Sequence, residues 1–187
     1  MQYQHTLEAH PENSLALCNI GAIFASQGKL DAAAVYLQKA LAIKPDYTNA
    51  LSNLGNILKE QGKLDAAVAC LQKAITIKPD FAEALNNLGN AFKKQGKLDE
   101  AAACLQKAIT IKPGYANALS NLGNILKEQG KLDTAVACLQ KAIIIKPDFA
   151  EALNNLGNAF KEQGKLDEAA ACLQKAIALK PDYAEAY

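Results

Sequence analysis

A strict period of 34 residues constrains this chain more than any other feature of its sequence. The tetrapeptide Gly-Lys-Leu-Asp recurs five times at that spacing, and six prolines keep the same period. A fixed spacing of this size is typical of arrays in which one supersecondary unit is stacked many times. The glycines are Gly28, Gly62, Gly96, Gly130 and Gly164, and the prolines are Pro11, Pro45, Pro79, Pro113, Pro147 and Pro181.

Within each period the pattern predicts two helices joined by a turn. In residues 82–115, Asp80 is placed to cap the first helix and Gly96 to end it in a left-handed conformation. A second helix follows until Pro113, because the residue before a proline is pushed out of helical geometry. The predicted buried residues are Leu85, Leu88 and Phe92 in the first helix, and Leu98, Ala101, Ala102, Leu105, Ala108 and Ile109 in the second.

One glycine stands inside every predicted first helix, where glycine costs about 0.5–1 kcal/mol relative to alanine. We predict that it lets the two helices of a unit approach closely, because its recurrence needs a structural reason. These glycines are Gly21, Gly55, Gly89, Gly123 and Gly157.

The pattern resembles the tetratricopeptide repeat, although the usual aromatic residue of the second helix is leucine here, as at Leu105. The resemblance implies an all-α fold, a right-handed superhelical solenoid of antiparallel helix pairs. It also implies that the first helices line a concave groove. The residues that carry it in one unit are Leu85, Leu88, Gly89, Phe92, Ala101, Ala108 and Pro113.

The periodicity predicts five complete repeats with a partial unit at each end. No polar terminal cap is visible, so we expect the chain to be part of a longer array. The predicted repeats are 14–47, 48–81, 82–115, 116–149 and 150–183, with 1–13 as the second helix of a truncated preceding repeat and 184–187 as the start of a following helix.

Asparagines recur on the predicted polar side of the first helices, opposite the apolar stripe. A primary amide carries two donors and an acceptor, so successive asparagines could hold an extended peptide by its main chain. The alternative is a solvated face, or an amide that bonds to the neighbouring helix. The candidate peptide-binding residues are Asn19, Asn53, Asn87, Asn121 and Asn155 (the Asn87 row), and Asn56, Asn90, Asn124 and Asn158 (the Asn90 row).

Residues 50–117 and 118–185 differ at only seven positions, so a pair of repeats has been duplicated. A site shaped for one unique ligand would break such near-identity. The near-identity favours a groove that meets an extended ligand in the same way at each step, or a spacer with no specific ligand. The asparagine rows resemble the groove of the repeat domain in O-linked N-acetylglucosamine transferases and in bacterial tetratricopeptide-repeat glycosyltransferases. The carboxylate clamp of other family members needs cations beside the asparagines, and those are missing.

Composition and cysteine spacing exclude several other classes. A formal net charge of +1 gives no reason to expect nucleic acid or membrane as a partner. The five cysteines form no C-x-x-C pair and are expected to be free thiols in a reducing, cytoplasmic compartment. We expect no metal, no cofactor and no catalytic residue, because His5 and His10 are the only histidines and no nucleophile constellation surrounds them.

These patterns predict a non-catalytic scaffold that binds protein or peptide in its groove. One alternative is the substrate-recognition arm of a larger glycosyltransferase. Another is a module for end-to-end self-association through uncapped ends that expose apolar surface.

Overall fold

A computed structural model describes residues 13–180, and every regular element in that range is an α-helix. The ten helices alternate between first and second helices of successive repeats, as the sequence predicts. The predictions that concern residues 1–12 and 181–187, including His5, His10 and both truncated end units, lie outside the described residues. The helices are α1 Ser14–Ser26, α2 Leu30–Ile43, α3 Thr48–Glu60, α4 Leu64–Ile77, α5 Ala82–Lys94, α6 Leu98–Ile111, α7 Ala116–Glu128, α8 Leu132–Ile145, α9 Ala150–Glu162 and α10 Leu166–Leu179.

The chain divides into two compact units, Met1–Gly96 and Lys97–Tyr187. In the first unit α1 packs on α2 and α3 on α4, and the second helices α2 and α4 also contact the first helix that follows them. In the second unit α7 and α9 pack in the same way with α6, α8 and α10. First helices of consecutive repeats also contact each other directly, α1 with α3, α3 with α5, and α7 with α9. Each unit therefore has one face built from first helices alone.

The core of each repeat is a line of small and branched residues on the second helix. Ala67, Leu71 and Ala74 of α4 are completely buried, at the spacing of one helical face. Equivalent triplets are completely buried in α2, α6 and α8. Burying one such leucine contributes about 1.5–3 kcal/mol, so these positions anchor the helix pair. The triplets are Ala33, Leu37 and Ala40; Ala101, Leu105 and Ala108; and Ala135, Leu139 and Ala142.

In four of the five repeats the glycine inside the first helix faces the leucine of the second helix, which confirms the predicted close approach there. A Cβ added at Gly55 would lie 2.6 Å from Cγ of Leu71 and 3.2 Å from the carbonyl oxygen of Ala67. The same leucine and carbonyl contacts are found at Gly21, Gly123 and Gly157. The turn glycine also behaves as predicted, since Gly96 has a φ of 75°, where a side chain would be strained.

The prediction that Asp80 caps the first helix was wrong. The N-cap residue of α5 is Phe81, whose side chain makes no cap hydrogen bond, and the backbone N–H of Ala82 donates to the carbonyl oxygen of Asp80. The ring of Phe81 is partly buried, and the ammonium of Lys78 lies 5.1 Å from its centroid. Burying an aromatic ring with a cation on its face outweighs a side-chain cap worth about 1 kcal/mol.

A hydrogen bond between repeats recurs at the helix turns, and the sequence analysis did not find it. In the first unit Nε2 of Gln61 donates to Oδ1 of Asp31 at 2.8 Å, and Gln95 donates to Asp65 at the same distance. In the second unit Gln129 and Asp99, and Gln163 and Asp133, form the same pair at 2.8 Å. The glutamine after α3, α5, α7 and α9 thus ties its repeat to the preceding second helix.

The glycine contact leads to a stability prediction with a control in the same unit. At Gly123 an added Cβ would meet Cγ of Leu139 at 2.6 Å, whereas at Gly114 it would meet nothing within 4 Å. We expect Gly123→Ala to destabilise the protein by about 1–2 kcal/mol, because overpacking exceeds the gain in helix propensity. We expect Gly114→Ala to be neutral or slightly stabilising. Urea unfolding followed by circular dichroism measures both, and equal midpoints for the two variants would contradict the close-approach argument.

Candidate functional site

All nine candidate asparagines lie on first helices, and all are partly buried. In the first unit Asn19, Asn53 and Asn87 occupy equivalent positions on α1, α3 and α5. In the second unit Asn121 and Asn155 do so on α7 and α9. Because consecutive first helices contact each other inside each unit, the Asn87 row runs across the first-helix face. The Asn90 row lies one helical turn further along the same helices, at Asn56, Asn90, Asn124 and Asn158.

Two amides of the Asn87 row, those of Asn53 and Asn87, reach back to the preceding repeat. Nδ2 of Asn87 donates to Oγ of Ser52 at 3.4 Å, and Nδ2 of Asn53 approaches Sγ of Cys18 at 3.8 Å. In Asn53 and Asn87, one N–H of the side-chain amide is therefore used in a bond to the neighbouring helix, as the alternative interpretation expects. A primary amide has a second N–H and a carbonyl oxygen beyond that bond.

Cys18 and Ser52, which receive these bonds, belong to a buried line at equivalent positions of the first helices, which we call the support row. Its members are between 2% and 6% exposed. Asn86 belongs to this row and is buried, whereas Asn87 beside it is partly buried. Within the described residues, Oγ of Ser120 and Oδ1 of Asn154 have no hydrogen-bond partner. The support row is Cys18, Ser52, Asn86, Ser120 and Asn154.

Charged residues border the Asn90 row. Nζ of Lys59, a residue only 8% exposed, donates to Oδ1 of Asn56 at 2.8 Å and lies 3.1 Å from a carboxylate oxygen of Glu60. The ammonium of Lys94 lies 3.5 Å from the other oxygen of Glu60. In the second unit Lys127 and Glu162 are paired at 3.4 Å. The border is thus mixed in sign and is unlike an anion-binding cluster.

The charge of Glu60 depends on these partners. Partial burial raises the pKa of its carboxyl, but the hydrogen bond from Lys59 and the charges of Lys59 and Lys94 lower it further than burial raises it. The pKa of Glu60 is therefore below its ordinary value. The carboxylate stays charged beside the buried ammonium of Lys59 over the neutral range.

The five cysteines are free thiols, and Cys18 is buried while the other four are partly buried. Burial raises the pKa of all five thiols, although the hydrogen bonds of Cys18 with Asn53 and Tyr47 oppose the shift at that residue. A raised thiol pKa lowers the thiolate fraction and hence the reactivity. Among the described residues no three His, Cys, Asp or Glu side chains are placed to hold a metal ion. None of the described helices has the length and apolarity to cross a membrane.

Two surface hollows lie at helix turns, one in each unit, away from the asparagine rows. The hollow in the first unit has a volume of about 680 Å³, and the one in the second unit about 420 Å³. Each contains a Gln–Asp bridge between repeats, and neither is lined by a candidate asparagine. The lining residues are Gly28, Lys29, Leu30, Asp31, Ala32, Gln61 and Lys63 in the first, and Gly130, Leu132, Asp133, Gln163 and Lys165 in the second.

Comparison with protein-family models gives matches along most of the chain. A model described as "TPR repeat" matches residues 21–62, 55–96, 89–130 and 123–164, and one described as "Tetratricopeptide repeat" matches residues 150–183. No curated protein matches the chain.

Solved structures similar to this chain share its fold. MamA is 30% identical, with a TM-score of 0.73, and the match covers 89% of this chain and 97% of that one. TTC0263, a thermophilic TPR protein of Thermus thermophilus, is 23% identical with a TM-score of 0.80, covering 92% and 94%. YrrB, described as a TPR protein with an unusual peptide-binding site, is 22% identical with a TM-score of 0.70, covering 100% and 96%. Together with the helix pairs, these matches confirm the predicted fold class.

The Glu60 network leads to a pH prediction. A carboxyl whose folded pKa is depressed adds stability above its ordinary pKa of 4.5, and that stability is lost as the pH falls through the folded value. We expect Glu60→Gln to lower the urea midpoint at pH 7. We expect the difference from the parent protein to shrink as the pH falls below the ordinary pKa and through the lower folded pKa. Repetition at high salt should also reduce the difference at pH 7, because the carboxylate is partly exposed. A difference that stays constant with pH would contradict this assignment.

Proposed function

The chain belongs to the tetratricopeptide-repeat family, and on that premise we propose that it is a scaffold that binds an extended polypeptide along the first-helix face. The family fold is generally a non-catalytic platform for protein interaction. The proposal adds the place of binding, the type of ligand and the residues that hold it. It assigns the contact to the Asn87 row, with the Asn90 row beside it.

The observation that carries the proposal is the state of the amides on the first-helix face. Asn53 and Asn87 each use one N–H on the preceding repeat, which leaves one N–H and the carbonyl oxygen of each amide for another partner. A polypeptide main chain presents the same pair of groups, one N–H and one C=O per residue other than proline. An amide can therefore pair with the main chain of a ligand whatever its side chains are.

Two further observations support the polypeptide as ligand. The carboxylates of Glu60 and Glu162 beside the lysines of the border argue against a surface that selects anions. YrrB, a protein of the same fold, is described as having a peptide-binding site. The five free thiols support the expectation that the protein acts in a reducing compartment.

The proposal predicts that removal of four of the five asparagines of the Asn87 row abolishes most peptide binding. We expect the variant with Asn53, Asn87, Asn121 and Asn155 all changed to alanine to bind peptides at least about tenfold more weakly, because several hydrogen bonds of about 0.5–1.5 kcal/mol each are lost. Binding is measured on an unbiased peptide array and by calorimetry with the strongest array peptide. Circular dichroism shows whether the variant keeps its helices.

The matched control removes four primary amides from the opposite helices. Gln38, Gln72, Gln106 and Gln140 are exposed on second helices, and their replacement by alanine should leave binding unchanged. Methylation of single main-chain nitrogens of the bound peptide removes their N–H groups. It should weaken binding more than replacing side chains of the peptide by alanine. Equal binding by the parent protein and the asparagine variant would refute the proposal.

A further inference from the structure

The support row places polar side chains where the packing calls for apolar ones. Ser52 and Cys18 are 3% exposed, between first helices whose other buried residues are mostly Ala, Leu and Ile. Burying a hydroxyl is unfavourable unless it gains a hydrogen bond, and an alanine would fill this position without that cost. The positions therefore need a reason other than packing.

The bonds of these side chains point to that reason. Ser52 receives an N–H of Asn87 at 3.4 Å, and Cys18 lies 3.8 Å from the amide nitrogen of Asn53. Both pairs are separated by 35 residues, so each joins one repeat to the next at equivalent positions. A hydroxyl and a thiol thus occupy the same place and meet the same amide group.

We propose that Ser52 and Cys18 are positioning residues, which orient the amides of Asn87 and Asn53 for the main chain of a bound polypeptide. The inference rests on the proposed function and adds the residues that prepare the site. Each of these two recognition elements then spans two repeats, with the amide on one and its support on the repeat before. An amide held at one N–H is ordered before the ligand arrives, which reduces the entropy lost on binding.

Lys59, at the border of the Asn90 row, orients the amide of Asn56 by a bond to its carbonyl oxygen rather than to an N–H. Nζ of Lys59 donates to Oδ1 of Asn56 at 2.8 Å, so the carbonyl of Asn56 already has a partner and its N–H groups are the part left for a ligand. The bond from Asn53 to Cys18 uses an N–H instead, so the carbonyl of Asn53 is left for a ligand. The pair Asn53 and Asn56 thus presents an acceptor and a donor on one helix. The ligand that fits is an extended main chain with a free N–H, which excludes a run of prolines.

The test compares Ser52→Ala with Ser52→Cys, which copies the arrangement at Cys18. The control is Ser26→Ala, because Ser26 is exposed and its Oγ donates to the carbonyl oxygen of Ile23 in its own helix. The first measurement is the NMR signal of the Asn87 side-chain amide in the ¹⁵N-labelled protein without peptide. We expect Ser52→Ala to shift this signal and to lower its order parameter, and the other two variants to leave it close to that of the parent protein.

The second measurement is the affinity for the strongest peptide from the array. We expect Ser52→Ala to bind it about 3- to 10-fold more weakly, Ser52→Cys to recover most of the loss, and Ser26→Ala to bind as the parent does. An unchanged Asn87 signal in Ser52→Ala overturns the inference. So does an unchanged affinity of Ser52→Ala when the fourfold asparagine variant has lost binding. If the fourfold asparagine variant binds as well as the parent, the proposed function itself fails, and the inference fails together with it. The binding of the fourfold variant therefore distinguishes failure of the proposed function from failure of the inference alone.

Discussion

The contact between a glycine of the first helix and a leucine of the second determines the geometry on which the rest of each unit depends. Gly55 and Leu71 approach so closely that a single methyl group would lie 2.6 Å from the leucine Cγ. Dispersion attraction is short-ranged, so the completely buried Leu71 makes its full contribution to stability only at this distance. Since Gly21, Gly123 and Gly157 meet their partners in the same way, the two helices of these repeats are held at one spacing.

With this fixed spacing, a first helix packs both on second helices and on the next first helix of the same unit. Their apolar residues pack on second helices, while the line that includes Ser52 contacts the next first helix in the same unit. The side chains just beyond that line, such as Asn87, are partly buried and bond across the junction. The amides of Asn53 and Asn87 are each held by such a bond to the preceding repeat. In the proposed function, stability and recognition would share these residues, because the bond that orders the amide also joins two repeats.

The sequence predicted what depends on residues within one repeat. Helix type, the left-handed Gly96 and the close approach at Gly55 follow from spacing inside a unit of 34 residues, and the structure confirms them. Contacts between repeats were missed, such as the bond from Gln95 to Asp65 across 30 residues. Helical angles place Asn86 on the polar side of its own helix, but they do not show that its side chain is buried. The recurrence of Gln before each Gly-Lys-Leu-Asp was the available signal for the bridge, and its partner needed three-dimensional placement. Whether a ligand uses the asparagines is a property of the ligand as well, and it stays a prediction.

The near-identity of the repeats bears on how such a face would discriminate among ligands. In the proposed complex, equivalent amides on successive repeats would meet a ligand with the same chemistry at each step, and that chemistry matches the part of a polypeptide that is itself periodic. Each added repeat then contributes one more weak contact to a ligand already held by its neighbours, so affinity rises with the number of repeats engaged.

Selectivity among ligands must come from the residues that interrupt this regularity. In the first repeat Ala22 replaces the asparagine of the Asn90 row and Cys18 replaces the serine or asparagine of the support row, so this repeat offers fewer hydrogen bonds to a main chain. A ligand with a proline at one point of its sequence has no N–H there. Such a ligand loses least when that point meets the first repeat, so the departures from perfect repetition can set the register in which a polypeptide binds.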